Sequence, residues 1–388
     1  MDPVIREIQL KNLLSFGPDT PPLELKPLNV LIGPNGSGKS NLLEAIGLLR
    51  AAPKDLSAPV KETGGLRDWL WQGERNATAT IEASINCYYP HHVHGNSLQH
   101  VISFRGFGQW FEVTRELIEE RRSHDGRHFR YENNGRSVDL ETSTGQKRSF
   151  PREGLKPEQS ILSQIKDPEL YPTLSILSHV YSQFRFYREW SFGRSTPPRL
   201  PQKADLPSEY LSETCDNLAH VLNAIRPTGK NMLLEALSAL YPGIKDFNVQ
   251  FPGGWVQLFL EENNFNIPAT RLSDGTLRYL CLLAILCHPE PPPLVCIEEP
   301  ELGLHPDVLS TLARLMIDAS QRCQLIVTTH SDLLVDKLTE IPDSVIVCEK
   351  HNGASIMKRL DQERLQVWLE KYSLGQLWLR GDLGGTRW

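Results

Sequence analysis

Four short apolar runs, widely separated along the chain, predict neighbouring strands of one buried sheet. The first is Leu28–Ile32, and Leu294–Ile297, Leu325–Thr328 and Ser344–Cys348 follow much later. Nearly continuous apolar runs of this kind are typical of parallel strands that are covered on both faces. Apolar residues at helical spacing follow the first run, at Leu42, Leu43, Ile46 and Leu49. The pattern therefore predicts an α/β fold with a central parallel sheet.

A second pattern predicts a β-rich lobe in the N-terminal part of the chain. Val4–Leu10 and Thr78–Ile85 have the character of strands, and Tyr131–Leu140 predicts a hairpin around Asn133-Asn134-Gly135. A helical stretch near 157–182 and a proline-rich loop at 195–208 come next. We therefore expect three parts, namely residues 1–90, an insertion with a lid-like segment at 91–210, and residues 211–388.

Composition and charge narrow the class of protein. The 388 residues carry a formal charge of −6, so contact with nucleic acid would need a local basic patch. The sequence has no apolar stretch long enough to cross a membrane, and its first residues lack signal-peptide features. The seven cysteines are scattered and form no CxxC pair, which argues against a disulfide framework or a zinc site. We expect a cytoplasmic protein without a membrane partner.

A glycine-rich segment follows the first apolar run and precedes a helix. Its residues, Gly33, Pro34, Asn35, Gly36, Ser37, Gly38, Lys39 and Ser40, match the P-loop pattern G-x-x-x-x-G-K-[ST]. Glycines in such a loop let backbone N–H groups converge on phosphate oxygens at a helix N-terminus. The lysine would reach the β- and γ-phosphates, and the Ser40 hydroxyl would ligate Mg²⁺. The segment therefore predicts a nucleoside triphosphate site that uses ATP and Mg²⁺.

Two carboxylates, Glu298 and Glu299, follow the apolar run Leu294–Ile297. An acid at the end of a strand beside the P-loop strand can hold the magnesium shell, and the next acid can orient an attacking water. A buried strand that simply enters a polar loop would give the same local pattern. The P-loop upstream favours the interpretation that Glu298 serves the metal and Glu299 the water.

Two further segments fit a nucleotide site only in combination with the others. Ser273 precedes a helix and, with Gly275, could bind an anion, although an ordinary helix cap gives the same pattern. His330 follows the strand Leu325–Thr328 and could bond a γ-phosphate, although a lone histidine is more often structural. The order of the four motifs favours function at both positions.

That order resembles the ABC-type ATPase heads of the RecF, SMC and OLD families. The segments GPNGSGKSN (ending at Asn41), LSDGT, CIEEPELGLHP and TTHSD are very similar to those of RecF/OLD-like bacterial AAA family ATPases, whereas residues 90–260 match less clearly. The resemblance implies an ABC-type P-loop ATPase head, with a β-rich N-terminal lobe and an inserted mixed or helical segment. Residues 1–90 and 211–388 would be the two parts of the head.

The resemblance also implies a role for each motif residue. Gly33–Ser40 and Asn41 would bind ATP, with Lys39, Glu299 and His330 as catalytic residues and Ser40 and Glu298 as magnesium ligands. Ser273 and Gly275 would cap the γ-phosphate held by a second copy in a head-to-tail homodimer, and Glu301–His305 would be the D-loop. Gln72 and Gln183 are both candidates for the Q-loop glutamine.

Features that the sequence lacks narrow the role further. No sustained heptads occur between Ser40 and Ser273, so the long arm of SMC proteins is not expected. No acidic cluster like that of a Toprim nuclease follows His330. The resemblance then implies a regulatory ATPase, a dimer or higher oligomer, that gates an effector encoded nearby, a nuclease or toxin, in prokaryotic anti-phage defence. The alternatives are a RecF-like DNA-repair ATPase that clamps duplex DNA, and a scaffold that uses ATP only to hold a dimer together.

Three smaller clusters have plainer interpretations beside the functional ones. The four histidines, at positions 91, 92, 94 and 100, could suggest a metal site, but no Cys or acidic ligand accompanies them at close spacing. The arginines at positions 121, 122 and 130 could face DNA, but Glu119, Glu120 and Asp125 are interleaved with them. The aromatic and basic run could bind phosphate or a partner, or pack under a lid. The clusters are His91, His92, His94 and His100; Arg121, Arg122 and Arg130; and Arg185, Arg188 and Arg194.

Overall fold

The secondary structure comes from a computed structural model of the chain. It describes residues 2–74, 77–87, 96–107, 110–120, 129–135, 137–142, 145–151, 154–240, 243–263 and 265–385. The strands are β1 (Ile5–Lys11), β2 (Leu23–Glu24), β3 (Leu28–Ile32), β4 (Ala79–Cys87), β5 (Asn96–Phe107), β6 (Trp110–Glu120), β7 (Arg130–Asn133), β8 (Ser137–Glu141), β9 (Lys147–Pro151), β10 (Arg185–Tyr187), β11 (Gln202–Lys203), β12 (Ile244–Gln250), β13 (Trp255–Glu262), β14 (Phe265–Pro268), β15 (Leu294–Glu298), β16 (Gln324–Thr328), β17 (Val345–His351) and β18 (Ala354–Arg359). The helices are α1 (Lys39–Ala51), α2 (Ala58–Glu62), α3 (Leu66–Trp69), α4 (Ile161–Gln164), α5 (Pro172–Ser182), α6 (Leu218–Ser238), α7 (Asp274–Leu286), α8 (Leu309–Ser320), α9 (Asp332–Asp336), α10 (Gln362–Leu369) and α11 (Leu374–Leu379).

The predicted central sheet is confirmed. It has six strands in the order β10-β15-β16-β3-β17-β18, and all neighbours are parallel except β17 and β18. Every residue of β3 and β16 is buried. Val30 and Ile32 face a core formed with α6, α7 and α8, while Leu31 faces a second core formed with α1 and the N-terminal lobe. Because these strands are parallel, their C-terminal ends share one edge of the sheet.

The β-rich lobe is an antiparallel sheet of eight strands, in the order β2-β1-β4-β5-β6-β7-β8-β9. The predicted hairpin is formed by β7 and β8, where Tyr131 lies opposite Leu140. The lobe is bonded to the central sheet through Gln324 of β16. Its amide accepts from Ile5 N at 2.9 Å and donates to Ile5 O at 2.8 Å.

A small third sheet lies beside the core and is built on β13. β12 pairs with one edge of β13, and β11 and β14 pair with the other. The long helix α6 packs on β12 and α7, and it contains Pro227. This sheet and α6 lie between β10 and α7 in the sequence.

The division of the chain at residues 90 and 210 stays a prediction. Strands β5 to β9 continue the sheet begun by β1 and β4, so these strands extend the predicted β-rich lobe. One local feature differs from expectation. The helical stretch expected near 157–182 is two helices, α4 and α5. Ser160 caps α4 and Pro172 begins α5, which explains why one apolar pattern covers two helices.

All seven cysteines are free and buried, and burial raises the pKa of Cys87, Cys287, Cys323 and Cys348 to about 12. Within the described ranges, every helix is too short or too polar to span a membrane.

A buried polar cluster joins the lobe to α4 and α5. Glu116 and His100 are fully buried, with His100 Nε2 3.3 Å from Glu116 Oε1 and His100 Nδ1 2.9 Å from the Tyr181 hydroxyl. Glu116 also accepts hydrogen bonds from the Ser160 hydroxyl and from Ile161 N. This histidine is therefore part of a structural cluster, while His91, His92 and His94 lie outside the described residues.

Replacing Glu116 by Ala should lower the free energy of unfolding by about 3–5 kcal/mol, because its buried donors lose their shared acceptor. Urea denaturation measures the change. The control is Glu119→Ala, which removes a surface pair with Arg130 and should cost under about 1 kcal/mol. Equal losses in the two variants would contradict a structural role for the buried cluster.

Candidate functional site

The P-loop residues form a tight turn between β3 and α1. Gly33, Gly36 and Gly38 have φ values of 146°, 77° and 100°, a region that side chains disfavour. A Cβ on Gly33 would lie 2.2 Å from the Cys348 carbonyl oxygen, and one on Gly38 would lie 2.3 Å from Ser355 Oγ. The loop therefore needs glycine both for its backbone and for the close approach of β17 and β18.

The first turn of α1 is suited to bind an anion. Gly38 precedes the helix and provides no side-chain cap, Asn35, Gly36 and Ser40 are exposed, and Pro34 is partly buried. Ser37 Oγ is buried without a hydrogen-bond partner. Asn41, in the same turn, donates to Ser15 Oγ at 2.7 Å. Open backbone N–H groups and an orphaned hydroxyl at a helix N-terminus fit a phosphate.

Lys39 lies over its own loop. Its Nζ donates to the carbonyl oxygens of Gly33 at 2.8 Å and Pro34 at 3.1 Å, and the side chain is 7% exposed. The ammonium group is thereby held at the mouth of the loop. A phosphate bound there would offer it stronger, charge-assisted hydrogen bonds.

The paired acids lie at the same edge of the sheet as the P-loop. Glu298 ends β15, and its Oε1 is buried without a hydrogen-bond partner, 3.3 Å from Arg188 Nε but not aligned for a bond. Arg188 also pairs with Glu44 of α1 at 3.1 Å. Arg188 thus links the Glu298 carboxylate to α1, whose first turn contains Ser40.

Glu299 has a left-handed backbone, with φ at 46°. Such a conformation costs a non-glycine residue about 1–2 kcal/mol, so its surroundings must hold it. Its N–H donates to Thr328 O at 2.9 Å, and its carbonyl oxygen accepts from Arg278 at 2.6 Å. Burial lowers the pKa of Arg278, while the charges of Glu301 and Glu299 oppose that shift. These contacts fix the main chain of Glu299 at the end of β15.

His330 lies beside Glu299, with Nε2 3.7 Å from Oε1. Glu301 positions the residues at the end of β16. Its Oε1 accepts from Thr329 Oγ1 at 2.6 Å and from His330 N at 3.0 Å. Its Oε2 is buried without a hydrogen-bond partner. The sequence assigned Glu301 only to the D-loop. No local sequence pattern predicts that Glu301 contacts the His330 backbone, because the two residues are 29 positions apart.

Ser273 and Gly275 begin α7. Ser273 is exposed and accepts from Thr276 N at 3.1 Å, which makes it a helix cap, as the plainer interpretation of the sequence expects. A Cβ on Gly275 would lie 2.6 Å from Gly303 O in the D-loop segment. The structure therefore brings the start of α7 against the segment Glu301–His305, which the resemblance predicts to be the D-loop, and leaves the Ser273 side chain at the surface.

Neither candidate Q-loop glutamine lies at the end of a sheet strand on this edge. Gln183 comes before β10, so it is at the opposite edge of the sheet from Glu298. Gln72 is exposed and donates to Arg67 O at 2.5 Å and Leu70 O at 3.1 Å. The residue that follows β10 at the nucleotide edge is Arg188. Trp190, two residues further on, donates its indole N–H to Glu298 O at 2.9 Å. The guanidinium carbon of Arg278 lies over the Trp190 ring, 4.8 Å from the ring centre.

The oxygen atoms at this edge fit a magnesium ion. Ser40 is exposed at the start of α1, and Glu298 Oε1 is a buried carboxylate oxygen without a hydrogen-bond partner. Hard oxygen ligands are those that Mg²⁺ prefers, and it commonly takes only one or two from protein beside phosphates and water. Consistent with such a sparse ligand set, the described part of the chain holds no cluster of three or more His, Cys, Asp or Glu residues that could bind a metal alone.

Comparisons with known proteins agree with this geometry. Residues 28–336 match the family described as "AAA domain, putative AbiEii toxin, Type IV TA system". No curated protein matches the sequence significantly.

Solved structures of similar fold include three SMC heads. The SMC head bound to the C-terminal winged-helix domain of ScpA has a TM-score of 0.56 at 17% identity, covering 93% of this chain and 99% of the other. The Pyrococcus furiosus head with an extended coiled coil, bound to the C-terminal domain of ScpA, has 0.54 at 15%, covering 95% and 99%. The Pyrococcus yayanosii head with a coiled coil and joint has 0.50 at 12%, covering 95% and 99%.

These similarities establish the fold as that of an ABC-type head. The family match spans more than half of the sequence and includes the P-loop, both acids and the strand-end histidine. The chain therefore belongs to the family "AAA domain, putative AbiEii toxin, Type IV TA system" and is an ATPase whose fold is that of an ABC-type head.

Proposed function

We propose that the chain binds Mg-ATP at Gly33–Ser40 and hydrolyses it in a head-to-tail dimer, in which each copy's Ser273 completes its partner's site. One observation carries the proposal. The P-loop, Glu298, Glu299 and His330 meet at one sheet edge, while Ser273 is exposed on a helix whose start contacts Gly303. One chain thus supplies a phosphate-binding loop and two acids, and the signature serine is available to a second copy.

Each residue of the edge has a distinct task in this proposal. The loop N–H groups bind the phosphates, and Lys39 exchanges the carbonyls of Gly33 and Pro34 for phosphate oxygens. Ser40 and Glu298 hold Mg²⁺, which neutralises charge on those oxygens. Glu299 accepts a proton from the attacking water, and His330, 3.7 Å away, orients Glu299 or bonds the γ-phosphate. The products are ADP and inorganic phosphate.

Replacing Ser273 by Arg should leave ATP binding intact and abolish the ATP-dependent dimer, because the side chain would clash with the partner's nucleotide. Native mass measurement with Mg-ATP distinguishes the two states. Ser273→Asp retains a helix cap and should give the same loss through repulsion of the γ-phosphate. Ser238→Arg, which adds the charge at the exposed end of α6, should still dimerise. Normal dimers of Ser273→Arg would refute the head-to-tail arrangement.

We further propose that the protein is a RecF/OLD-like regulatory subunit in the cytoplasm that gates a separate effector, a nuclease or toxin, in prokaryotic anti-phage defence. The family description, which names a toxin of a Type IV toxin–antitoxin system, supports a role of this kind. The SMC heads bound to ScpA domains support a protein partner for this fold. ATP-driven dimers would be the state that the effector recognises, and higher oligomers could be built from them.

The test is the native mass of Glu299→Gln with Mg-ATP, purified after co-expression with the product of the neighbouring gene. A stable complex that contains the neighbour supports effector gating. A bare dimer whose ATPase activity rises with duplex DNA, and falls steeply with salt, would instead support a DNA clamp. In the described part of the arginine cluster near residue 121, the positive charge of Arg130 is already paired with Glu119 at 2.7 Å and with Glu132 at 2.8 Å. Arg130 therefore gives little support to a DNA clamp. Arg121 and Arg122 lie outside the described residues.

A further inference from the structure

Two glycines follow α11, and the second of them lies against the beginning of the P-loop. We call Gly384 and Gly385 the glycine strap. A Cβ built on Gly385 would be 3.4 Å from Gly33 Cα and 2.8 Å from Val347 Cγ1. Gly33 and Gly385 are separated by almost the whole sequence, yet their backbones are in near contact.

Two side chains hold the glycine strap in place. Gly385 N–H donates to Glu349 Oε1 at 2.8 Å, and the Gly385 carbonyl oxygen accepts from the Trp378 indole at 3.0 Å. The first of these bonds lowers the pKa of the Glu349 carboxyl, and Trp378 is only 6% exposed. Because Glu349 belongs to β17, which pairs with β3, the strap is fixed to the strand beside the P-loop strand.

Glycine is required at both strap positions. Gly384 and Gly385 have φ values of 78° and 62°, in the left-handed region. A Cβ on Gly384 would come within 2.8 Å of Glu349 Oε1. A side chain at Gly385 would press on Val347 and Gly33 together, so either the strap or the P-loop would have to shift.

Gly33 is confined on its other side as well. A Cβ on Gly33 would lie 2.2 Å from Cys348 O and 3.1 Å from Ser37 Oγ, and the Gly33 carbonyl oxygen is the closer acceptor for Lys39 Nζ. A shift of Gly33 would therefore move both the lysine and the neighbouring loop residues. We propose that Gly385, Glu349 and Trp378 are positioning residues, which hold the start of the P-loop in the shape that binds nucleotide.

The test compares two Gly→Ala variants with similar backbones. Gly385→Ala should raise the Kd and KM for ATP about tenfold, with kcat at saturating ATP changed by less than about twofold. The matched control is Gly353→Ala, in the turn between β17 and β18, where φ is 84° and no atom lies within 4 Å of an added Cβ. This control has the same backbone strain without the contact to Gly33, so it should bind ATP normally.

A second pair of variants separates the hydrogen bond from the backbone. Trp378→Phe keeps an aromatic ring and loses the donor to Gly385 O, and it should raise the Kd for ATP about threefold. Trp368→Phe, on the exposed face of α10, should not change it. If Gly385→Ala and Gly353→Ala bind ATP equally, the strap is only a structural contact and the proposal is wrong.

The proposal rests on the assignment of Gly33–Ser40 as the nucleotide loop. Different experimental results would overturn the loop assignment and the role of the strap. Tight ATP binding by Lys39→Ala would overturn the loop assignment and, with it, the role of the strap. Loss of binding in Lys39→Ala, together with unchanged binding in Gly385→Ala, would overturn the strap alone. Thermal unfolding of each variant confirms that binding is measured on folded protein.

Discussion

Replacing Glu299 by Gln should reduce kcat for ATP hydrolysis by about 10³-fold while leaving ATP binding nearly unchanged. The amide keeps the size of the side chain but cannot accept a proton from water, and general bases contribute factors of this order. The backbone contacts with Thr328 and Arg278 involve main-chain atoms of Glu299, so the substitution should keep the left-handed conformation. Single-turnover hydrolysis and equilibrium ATP titration measure the two quantities.

The same variant should prolong the lifetime of the ATP-bound dimer, because release depends on hydrolysis. Glu301→Gln is the informative companion, since that side chain holds Thr329 and His330 and faces the same corner. It should reduce kcat less than Glu299→Gln does. Full activity in Glu299→Gln would exclude this residue as the base, and an unchanged dimer lifetime would favour the scaffold that uses ATP only as a link.

Replacing Lys39 by Ala should weaken ATP binding on the order of 100-fold. If Lys39 makes two charge-assisted hydrogen bonds to phosphate, each at the lower end of the usual range of about 1.5–3 kcal/mol, the variant loses about 3 kcal/mol. Because every 1.4 kcal/mol is a factor of ten in Kd, that loss corresponds to about 100-fold. The ammonium group bonds the carbonyl oxygens of Gly33 and Pro34 at the surface of the loop, so we expect the variant to stay folded. Equilibrium titration with ATP measures the loss.

Lys54→Ala is the matched control for the lost charge, because Lys54 is exposed just after α1. It should bind ATP as the unaltered chain does. Retention of tight binding in Lys39→Ala would mean that the glycine-rich segment is an ordinary turn rather than a P-loop.

The parts of the site that sequence could predict are those whose signal is local. The P-loop, the two acids and the strand-end histidine each combine an apolar strand with the polar residues that follow it, and parallel strands bring those ends to one edge. The central sheet and the hairpin of β7 and β8 were predictable for the same reason. Each depends on a pattern within a few neighbouring residues.

The parts that sequence could not predict are contacts between distant segments. Arg188 was flagged only as one of several basic residues, and its place beside Glu298 depends on β10 pairing with β15. The role of Glu301 at His330 and the contact of Gly385 with Gly33 likewise arise from tertiary packing. The expectation that Gln72 or Gln183 is the Q-loop glutamine rests on residue type alone, and the pairing of β10 with β15, which places Arg188 at this edge, has no local sequence signal.

The pairing of β3 on both sides has a consequence for how the chain is made. β3 lies between β16 and β17, whose residues are synthesised about 300 positions later, and Gly38 packs against Ser355. Contacts of such long sequence separation form slowly, because the intervening chain must first be closed into a loop. During translation the P-loop sequence therefore leaves the ribosome well before the strands that flank β3, and it acquires its final shape only after they have been made. A nascent chain can bind ATP as the folded chain does only once β16, β17 and Ser355 have been synthesised.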